Sequence, residues 1–444
     1  MCTNTACFLR VVVMVVAVAV CAAVTENGRA ASTAAEPLSL DACIRIALDK
    51  NPANRAAMET FAAAGEAADA ARAPYYPDLS LNLGYRRVQT HAFLPSSINF
   101  PGITSIIGPV NQWNAGVKAS FTLFDSGQRK AEAQSARASH KASAEDAERT
   151  RQGIIIAVTE AYYTLLAAQE AKGAAGEHLT RGEDHLRLAG ERKAAGAVPQ
   201  ADVMRARVEV ANARLSLVRA ENAVRIARGN LNRTMGLVPS LALAIKREEQ
   251  PVTAPGAVDI TEAYAHAMSR RPEIRAAGHN ITAGENNVKS AKSTFGPKIR
   301  AEAGYGWLDS EFLPQDKDWS LGVSVQWPLF SGFAGVHNTA RARADLSRKE
   351  AEKEQVILNV QQEVWTAYAN LTETYESVQA AVVAKADAAE SLRLARARYD
   401  AGAGTITDLL DTETAMDNAQ VTYVQAMYTH YIALAHMKLA VGDL

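Results

Sequence analysis

The stretch Arg398-Tyr399-Asp400-Ala401-Gly402-Ala403-Gly404-Thr405-Ile406-Thr407-Asp408-Leu409-Leu410-Asp411 decides how the rest of the chain is read. One long helical pattern runs into it and another runs out. Between them stand two glycines, which accept backbone angles other residues resist, and a Thr-x-x-Asp helix start in which Thr405 can cap the next helix. This is the tip of a helical hairpin. A second copy lies 206 residues upstream, where Arg192, Gly196 and Asp202 match Arg398, Gly402 and Asp408. There Val198-Pro199 restarts the helix, with the proline expected in its first turn. Two tips on one chain imply a duplicated half-molecule.

The repeat extends well beyond the tips. At an offset of 220, Ala47, Pro52, Pro77, Gly84 and Tyr85 match Ala267, Pro272, Pro297, Gly304 and Tyr305. Further on the offset is 206, and Trp113, Phe124, Tyr162 and Gly236 match Trp319, Phe330, Tyr368 and Gly442. Repeats this long are half-molecules rather than solenoid units. The spacing predicts a first repeat over 24–237, with a β-hairpin at 79–124, a long helix at 127–195, a tip at 196–202 and a return helix at 203–236. The second repeat, 260–444, has its hairpin at 298–330, long helix at 332–400, tip at 401–408 and return helix at 409–441. Residues 238–259 link the two.

Four segments alternate with period 2. Leu79, Leu81, Leu83 and Tyr85 interleave with Ser80, Asn82 and Gly84; Trp319, Leu321, Val323, Val325 and Trp327 interleave with Ser320, Gly322, Ser324 and Gln326. The segments around Trp113–Leu123 and Ile299–Trp307 behave alike. Strands of roughly 9 to 11 residues suffice to cross a bilayer when tilted. Four of the five tryptophans sit in or at the ends of these strands, as in the aromatic girdles of membrane barrels. Four strands cannot close such a barrel, for which about 8 is the usual minimum. An open sheet edge in lipid leaves backbone groups unpaired, so several protomers must pool their strands. The connections around 89–110 and 308–318 read as outer-surface loops.

The 69-residue stretch from Gly127 to Ala195 contains no proline, and as a helix it reaches about 100 Å. Gly173, Gly176 and Gly182 are the places where it would break. After each tip comes a heptad-like row, Met204, Val208, Ala211, Leu215 and Val218 in the first copy and the weaker Leu410, Thr414, Asp417, Val421 and Val424 in the second. Such rows mark helices packed in pairs.

Composition narrows the function. A formal net charge of −1 gives nucleic acid no handle, and Met1 to Ala23 reads as a secretory signal, with Arg10, an apolar run from Val11 to Val20, and a small-residue end. Cys21 is a candidate lipid acceptor, although Val20 before it is bulkier than such sites prefer. Cys2, Cys7 and Cys21 lie in or beside the signal, which leaves Cys43 without a disulfide framework. Motifs for acyl transfer, zinc hydrolysis and phosphate binding are missing. His178 and His185, seven residues apart, read as surface histidines, and so do His430 and His436, which lack an obvious carboxylate or cysteine partner. Glu145, Asp146 and Glu148 read as a solvated face. Neither an enzyme, a cofactor nor a metal is expected.

Several motifs in this order resemble the TolC family of outer-membrane efflux proteins. They are the helix end Ala47 to Pro52, the strand-to-helix joints Phe121 to Gly127 and Trp327 to Gly332, Ala161-Tyr162-Tyr163 and Ala367-Tyr368, both tips, and the helix end Leu231 to Gly236. The resemblance spans Leu40 to Gly442 and implies a mainly α fold with a membrane β-barrel part. In a homotrimer the pooled strands form a 12-stranded barrel in outer-membrane lipid, and the long coiled-coil helices form an α-barrel through the periplasm. It also implies an exit duct for tripartite efflux or type I secretion, docked to a periplasmic membrane-fusion adaptor and an inner-membrane pump of RND or ABC type. Carried over residue by residue, Asp408 and Asp411 correspond to aspartates that ring the pore, and Tyr399 and Asp202 to residues that latch neighbouring coils. Gly196, Val198, Pro199, Gly402, Gly404 and Thr405 are the expected adaptor contacts. Gly404 replaces an arginine involved in closure, so the latch should differ here, and Arg205 stands where the second copy has Asp411. The rival reading is a soluble periplasmic coiled-coil scaffold.

Overall fold

A computed structural model describes residues 37–91, 106–247, 251–252, 254, 259–312 and 314–444. The signal segment with Cys2, Cys7 and Cys21, the loop centre with Pro95, Pro101 and Gly102, and part of the linker lie outside the described residues.

Helices α1 (Leu40–Lys50) and α2 (Pro52–Ala70) precede strands β1 (Asp78–His91) and β2 (Ile106–Phe124). Then come α3 (Gln128–Ala194) and α4 (Gln200–Thr234). The second half repeats the order with α5 (Ile260–Arg270), α6 (Pro272–Ser293), β3 (Lys298–Asp309), β4 (Lys317–Gln326), α7 (Ala334–Asp400) and α8 (Ile406–Val441). Helices α3 and α7 both have 67 residues, about 100 Å. The glycines of α3 do not interrupt it, because α3 packs against α2, α4, α6 and α8 along its length. Packing of this kind outweighs a propensity cost of about 1 kcal/mol per glycine.

Two stacked helix pairs accompany the long helices. In the first half, α4 ends where α2 begins: Asn51 Nδ2 donates to the Thr234 carbonyl at 2.8 Å, and Asn51 Oδ1 caps α2 by accepting from Ala53 N–H. Gly236 is needed at this junction, since a Cβ there would stand 2.5 Å from the Lys50 carbonyl oxygen. In the second half, α8 ends where α6 begins. The buried Arg271 donates to the Leu439 carbonyl at 3.1 Å and pairs with Glu273 and Glu363. The chain start is tied to the linker: Leu38 N–H donates to Ala244 O at 3.0 Å, and Lys246 N–H to Leu38 O at 2.9 Å.

The main core surrounds the middle of α3. Tyr162, Val158, Leu165, Leu231 and Met235 are buried there with Cys43 and Ala47 of α1 and Val424 and Tyr428 of α8. A second cluster joins α5, α7 and α8 through Ala267, Val364, Leu371 and Met437. One expectation about surface charge is corrected. Glu145 is mostly buried and pairs with Arg275 of α6 at 2.8 Å. Asp146 stays exposed, as expected, although desolvation by its surroundings raises its carboxyl pKa above the ordinary value. The heptad rows also behave differently from expectation. The weaker row on α8 contributes Val424 to the core, whereas in the stronger row on α4 Met204, Val208, Leu215 and Val218 stay exposed.

The four strands form one antiparallel sheet in the order β1-β2-β3-β4. Its register brings Leu81, Val117, Tyr305 and Trp319 into one row and Leu79, Ala119, Ala303 and Leu321 into the next. One face is therefore apolar across all four strands. The other carries rows such as Ser80, Lys118, Gly304 and Ser320. No described residue covers the apolar face, and Leu321 is 77% exposed. Aromatics mark both ends of the band. Tyr85, Trp113 and Phe312 stack at the hairpin end, while Trp327, Phe330 and Phe333 are exposed at the helical end. Among the described residues no helix is long and apolar enough to cross a membrane.

Candidate functional site

The two tips share one backbone device. Gly196 (φ +76°) and Gly402 (φ +73°) take the left-handed conformation. At the first tip Gly196 N–H donates to Lys193 O and Ala197 N–H to Arg192 O, both at 2.9 Å. At the second, Gly402 N–H donates to Tyr399 O at 3.1 Å and Ala403 N–H to Arg398 O at 2.9 Å. These bonds satisfy helix carbonyls that would otherwise lack partners.

The helix restarts differ. Thr405 caps α8 reciprocally with Asp408: Asp408 N–H donates to Thr405 Oγ1 at 3.1 Å, and Thr405 N–H to Asp408 Oδ2 at 3.3 Å. Pro199 is the residue before α4 rather than part of its first turn, because α4 begins at Gln200. Gly404 does not have a left-handed backbone, and its constraint is space: a Cβ there would lie 3.2 Å from Tyr399 N.

The tips meet within one protomer. The Arg192 guanidinium sits 4.6 Å from the centroid of the Tyr399 ring. Tyr399, Ile406 and Leu409 are buried together with Leu188 of the first hairpin. Arg205 Nη1 donates to Thr407 Oγ1 at 3.3 Å and lies 3.7 Å from Asp202 Oδ1. So Tyr399 contacts the first hairpin directly, and Asp202 reaches the second by way of Arg205. Asp408 and Asp411 are exposed, and Asp411 lines a groove between α4 and α8 with Met204, Val208, Leu410 and Thr414.

Higher on the same seam lies a charged cluster that the sequence reading missed. His178 and His185 are largely buried, contrary to the surface reading. His178 Nε2 is 2.8 Å from Glu209 Oε1 of α4, and its Nδ1 is 3.4 Å from Asp417 Oδ2 of α8. Arg181 holds the other Asp417 oxygen, and His185 Nε2 is 2.8 Å from Glu413 Oε1. Spacing puts each pair on one helical face, with seven residues between the histidines and four between Glu413 and Asp417, but it does not tell which faces meet. His436 also has a carboxylate partner, Glu160, at 2.5 Å. Among the described residues no group of three or more His, Cys, Asp or Glu is placed to hold a metal ion.

The family model for outer membrane efflux proteins matches residues 43–237 and again 263–443. The chain belongs to the outer membrane efflux protein family. It is 28% identical over 415 residues to Protein CyaE of Bordetella pertussis, covering 91% of this chain and 82% of that one. To the pyoverdine export outer membrane protein OpmQ of Pseudomonas aeruginosa it is 26% identical over 417 residues, covering 91% and 83%. A crystal structure of a Pseudomonas aeruginosa membrane protein superimposes with a TM-score of 0.78 at 23% identity, covering 91% of this chain and 93% of that chain. An efflux protein of this family resides in the outer membrane and extends into the periplasm, which excludes the soluble scaffold. The family consists of channels, which are not enzymes.

Proposed function

We propose that three copies of this chain form a gated exit duct, with the sheet as one third of a 12-stranded barrel and the hairpin tips as the periplasmic gate. One observation carries the reading. Among the described residues, a sheet with an uncovered apolar face and two unpaired outer strands shares its chain with two long hairpins, the second of which presents the exposed carboxylates of Asp408 and Asp411 at its tip. In lipid every unpaired backbone group on β1 and β4 costs several kcal/mol, and neighbouring copies remove that cost by pairing β1 with β4.

At the gate, Asp411 and Asp408 of three protomers form a ring that favours cations. Asp408 has a second task, since it also closes the cap of α8. Tyr399 and Asp202, through Arg192 and Arg205, latch the second hairpin to the first. The adaptor docks at Gly196, Val198, Pro199, Gly402, Gly404 and Thr405, and an inner-membrane pump of RND or ABC type drives transport. The pump rather than the duct selects the cargo. That division is supported by the names of two relatives, one for pyoverdine export and one for cation efflux.

Planar-bilayer recording of Asp411→Asn tests the ring without touching the cap. Loss of cation preference and weaker block by divalent cations are the expected results. Unchanged selectivity and unchanged block would remove the ring from the mechanism.

A further inference from the structure

We propose that His178 and His185 form an acid-tightened fastening along the seam between the two hairpins, a regulation of the gate described above and resting on that reading. Both imidazoles project from α3, seven residues or about 10 Å apart along the helix. Each reaches a carboxylate on α8, and His178 reaches a second on α4. The charged groups facing them are Glu209 from α4, Glu413 and Asp417 from α8, and Arg181 from α3 itself. Arg181 also pairs with the exposed Glu177 at 3.9 Å, so among these described contacts four carboxylates meet one guanidinium and positive charge is in short supply.

A neutral imidazole has one N–H and one bare nitrogen. In that form His178 can donate to Glu209 or to Asp417, not to both. The Asp417 Oδ2 atom is buried and has no hydrogen-bond donor in this arrangement. Glu413 is only 5% exposed, and among the described residues its hydrogen-bond partner is His185. When protonated, each imidazole becomes a double donor with a positive charge. His178 then bonds to α4 and α8 at once, and His185 becomes a charge-assisted partner for a carboxylate shielded from water.

The sign follows from where those contacts exist. An imidazolium gains from Asp417 and Glu413 only while α8 lies against α3, whereas the Glu209 contact stays within the first hairpin. Protonation of the two imidazoles therefore favours the closed seam, and loss of those protons favours separation. The cluster sits above the tips, on the path by which α8 would move away from the first hairpin. Periplasmic acidity would thus hold the hairpins together without any ligand. Arg181 keeps one permanent tie to Asp417, so the seam loosens at higher pH but does not fall apart.

The test uses the full-length trimer in detergent, with nitroxide labels on cysteines introduced at the exposed Asn212 of α4 and Asn418 of α8. Pulsed electron-spin distance measurements are made at about pH 7.5 and about pH 5.5, on either side of the ordinary imidazole range. The expected result is a severalfold growth of the short-distance population in acid. A His178→Gln, His185→Gln double variant, which keeps hydrogen-bonding capacity but cannot take a charge, should lose that response while running as the same heat-labile trimer. An unchanged distribution in the parent protein overturns the proposal, and so does an acid response that survives in the double variant. Conductance of the same samples separates the two readings. A seam that responds to pH in a duct whose conductance ignores pH upholds the fastening and counts against the gate at the tips.

Discussion

The Arg192 guanidinium lies over the Tyr399 ring, 4.6 Å from its centroid. Arg192 is in the last turn of α3 and Tyr399 is in the last turn of α7, so the contact joins the two long helices where both end. Arg192 and Arg398 are equivalent in the two repeats, yet only the first faces the tyrosine of the other hairpin. The proposed latch is therefore asymmetric and does not draw on position 404. A cation–π contact of this kind contributes about 0.5–2 kcal/mol. Arg192→Ala should raise the open probability of the channel in planar bilayers several-fold, and Tyr399→Ala should do so more strongly, because it also removes buried ring area. Equal conductance in parent and variants would show that the contact only packs the tip.

The sheet assigns opposite tolerances to neighbouring positions. Leu321 belongs to the apolar face and Ser320, next to it, to the polar one. Arginine on the lipid face of a barrel costs about 2–4 kcal/mol near the midplane and far less toward the lumen. Leu321→Arg should reduce the folded, heat-labile trimer in outer-membrane fractions, whereas Ser320→Arg should leave its amount intact and alter conductance. The reverse pattern would mean that the faces are assigned the wrong way round.

Sequence and structure agree where the signal is periodic, and part where two distant segments must find each other. The alternation of Leu79 to Tyr85 and Trp319 to Trp327 was enough to place the strands and their apolar face, because a period of 2 fixes which side each residue takes. Gly196 and Gly402 identified the tips because a left-handed residue after a long helix is a local requirement. The partners of His178 and His185 were not legible. Glu209, Glu413 and Asp417 come from other helices, and nothing near the histidines in sequence indicates which face of α4 or α8 will be opposite. The Met204 row misled for a related reason: a heptad states that a helix has a partner, not that the partner belongs to the same chain.

His430 is 1% exposed, with Thr374 Oγ1 3.3 Å from its Nδ1. Burial lowers its pKa below the ordinary imidazole value. The folded protein disfavours the charged ring, and the unfolded chain takes up the proton more readily. The unfolded state therefore binds more protons below about pH 6.5, and stability contributed at this position falls as acid is added, by up to about 1.4 kcal/mol per pH unit. His430→Gln should flatten the loss of thermal stability between about pH 6.5 and pH 5, even if it lowers stability at neutral pH. An acid slope unchanged in the variant would place the sensitivity elsewhere.

The exposed rows on α4 and α7 make the strongest demand on the assembly. Val208 is 61% exposed, Val383 of α7 is 60% exposed, and each has apolar neighbours on the same helical face, Leu215 and Val218 on α4 and Trp365 and Leu394 on α7. Within the protomer α4 packs on α3, and α7 on α6 and α8, so these faces are turned outward. Strands β1 and β4 lie at opposite edges of the sheet. Pairing one edge with the opposite edge of the next copy is a head-to-tail contact, which must close into a ring or grow without limit. Covering a Val or Leu side chain contributes about 1.5–3 kcal/mol, and a carboxylate placed there must be buried without a partner. Leu215→Asp and Val383→Asp should each convert the heat-labile trimer to monomer, as read by gel mobility and light scattering. Because the contact is heterologous, mixing the two variants should at best give a dimer through the one interface that retains both native faces. Recovery of full trimers from that mixture, or intact trimers from either variant alone, would place the subunit contact on other surfaces.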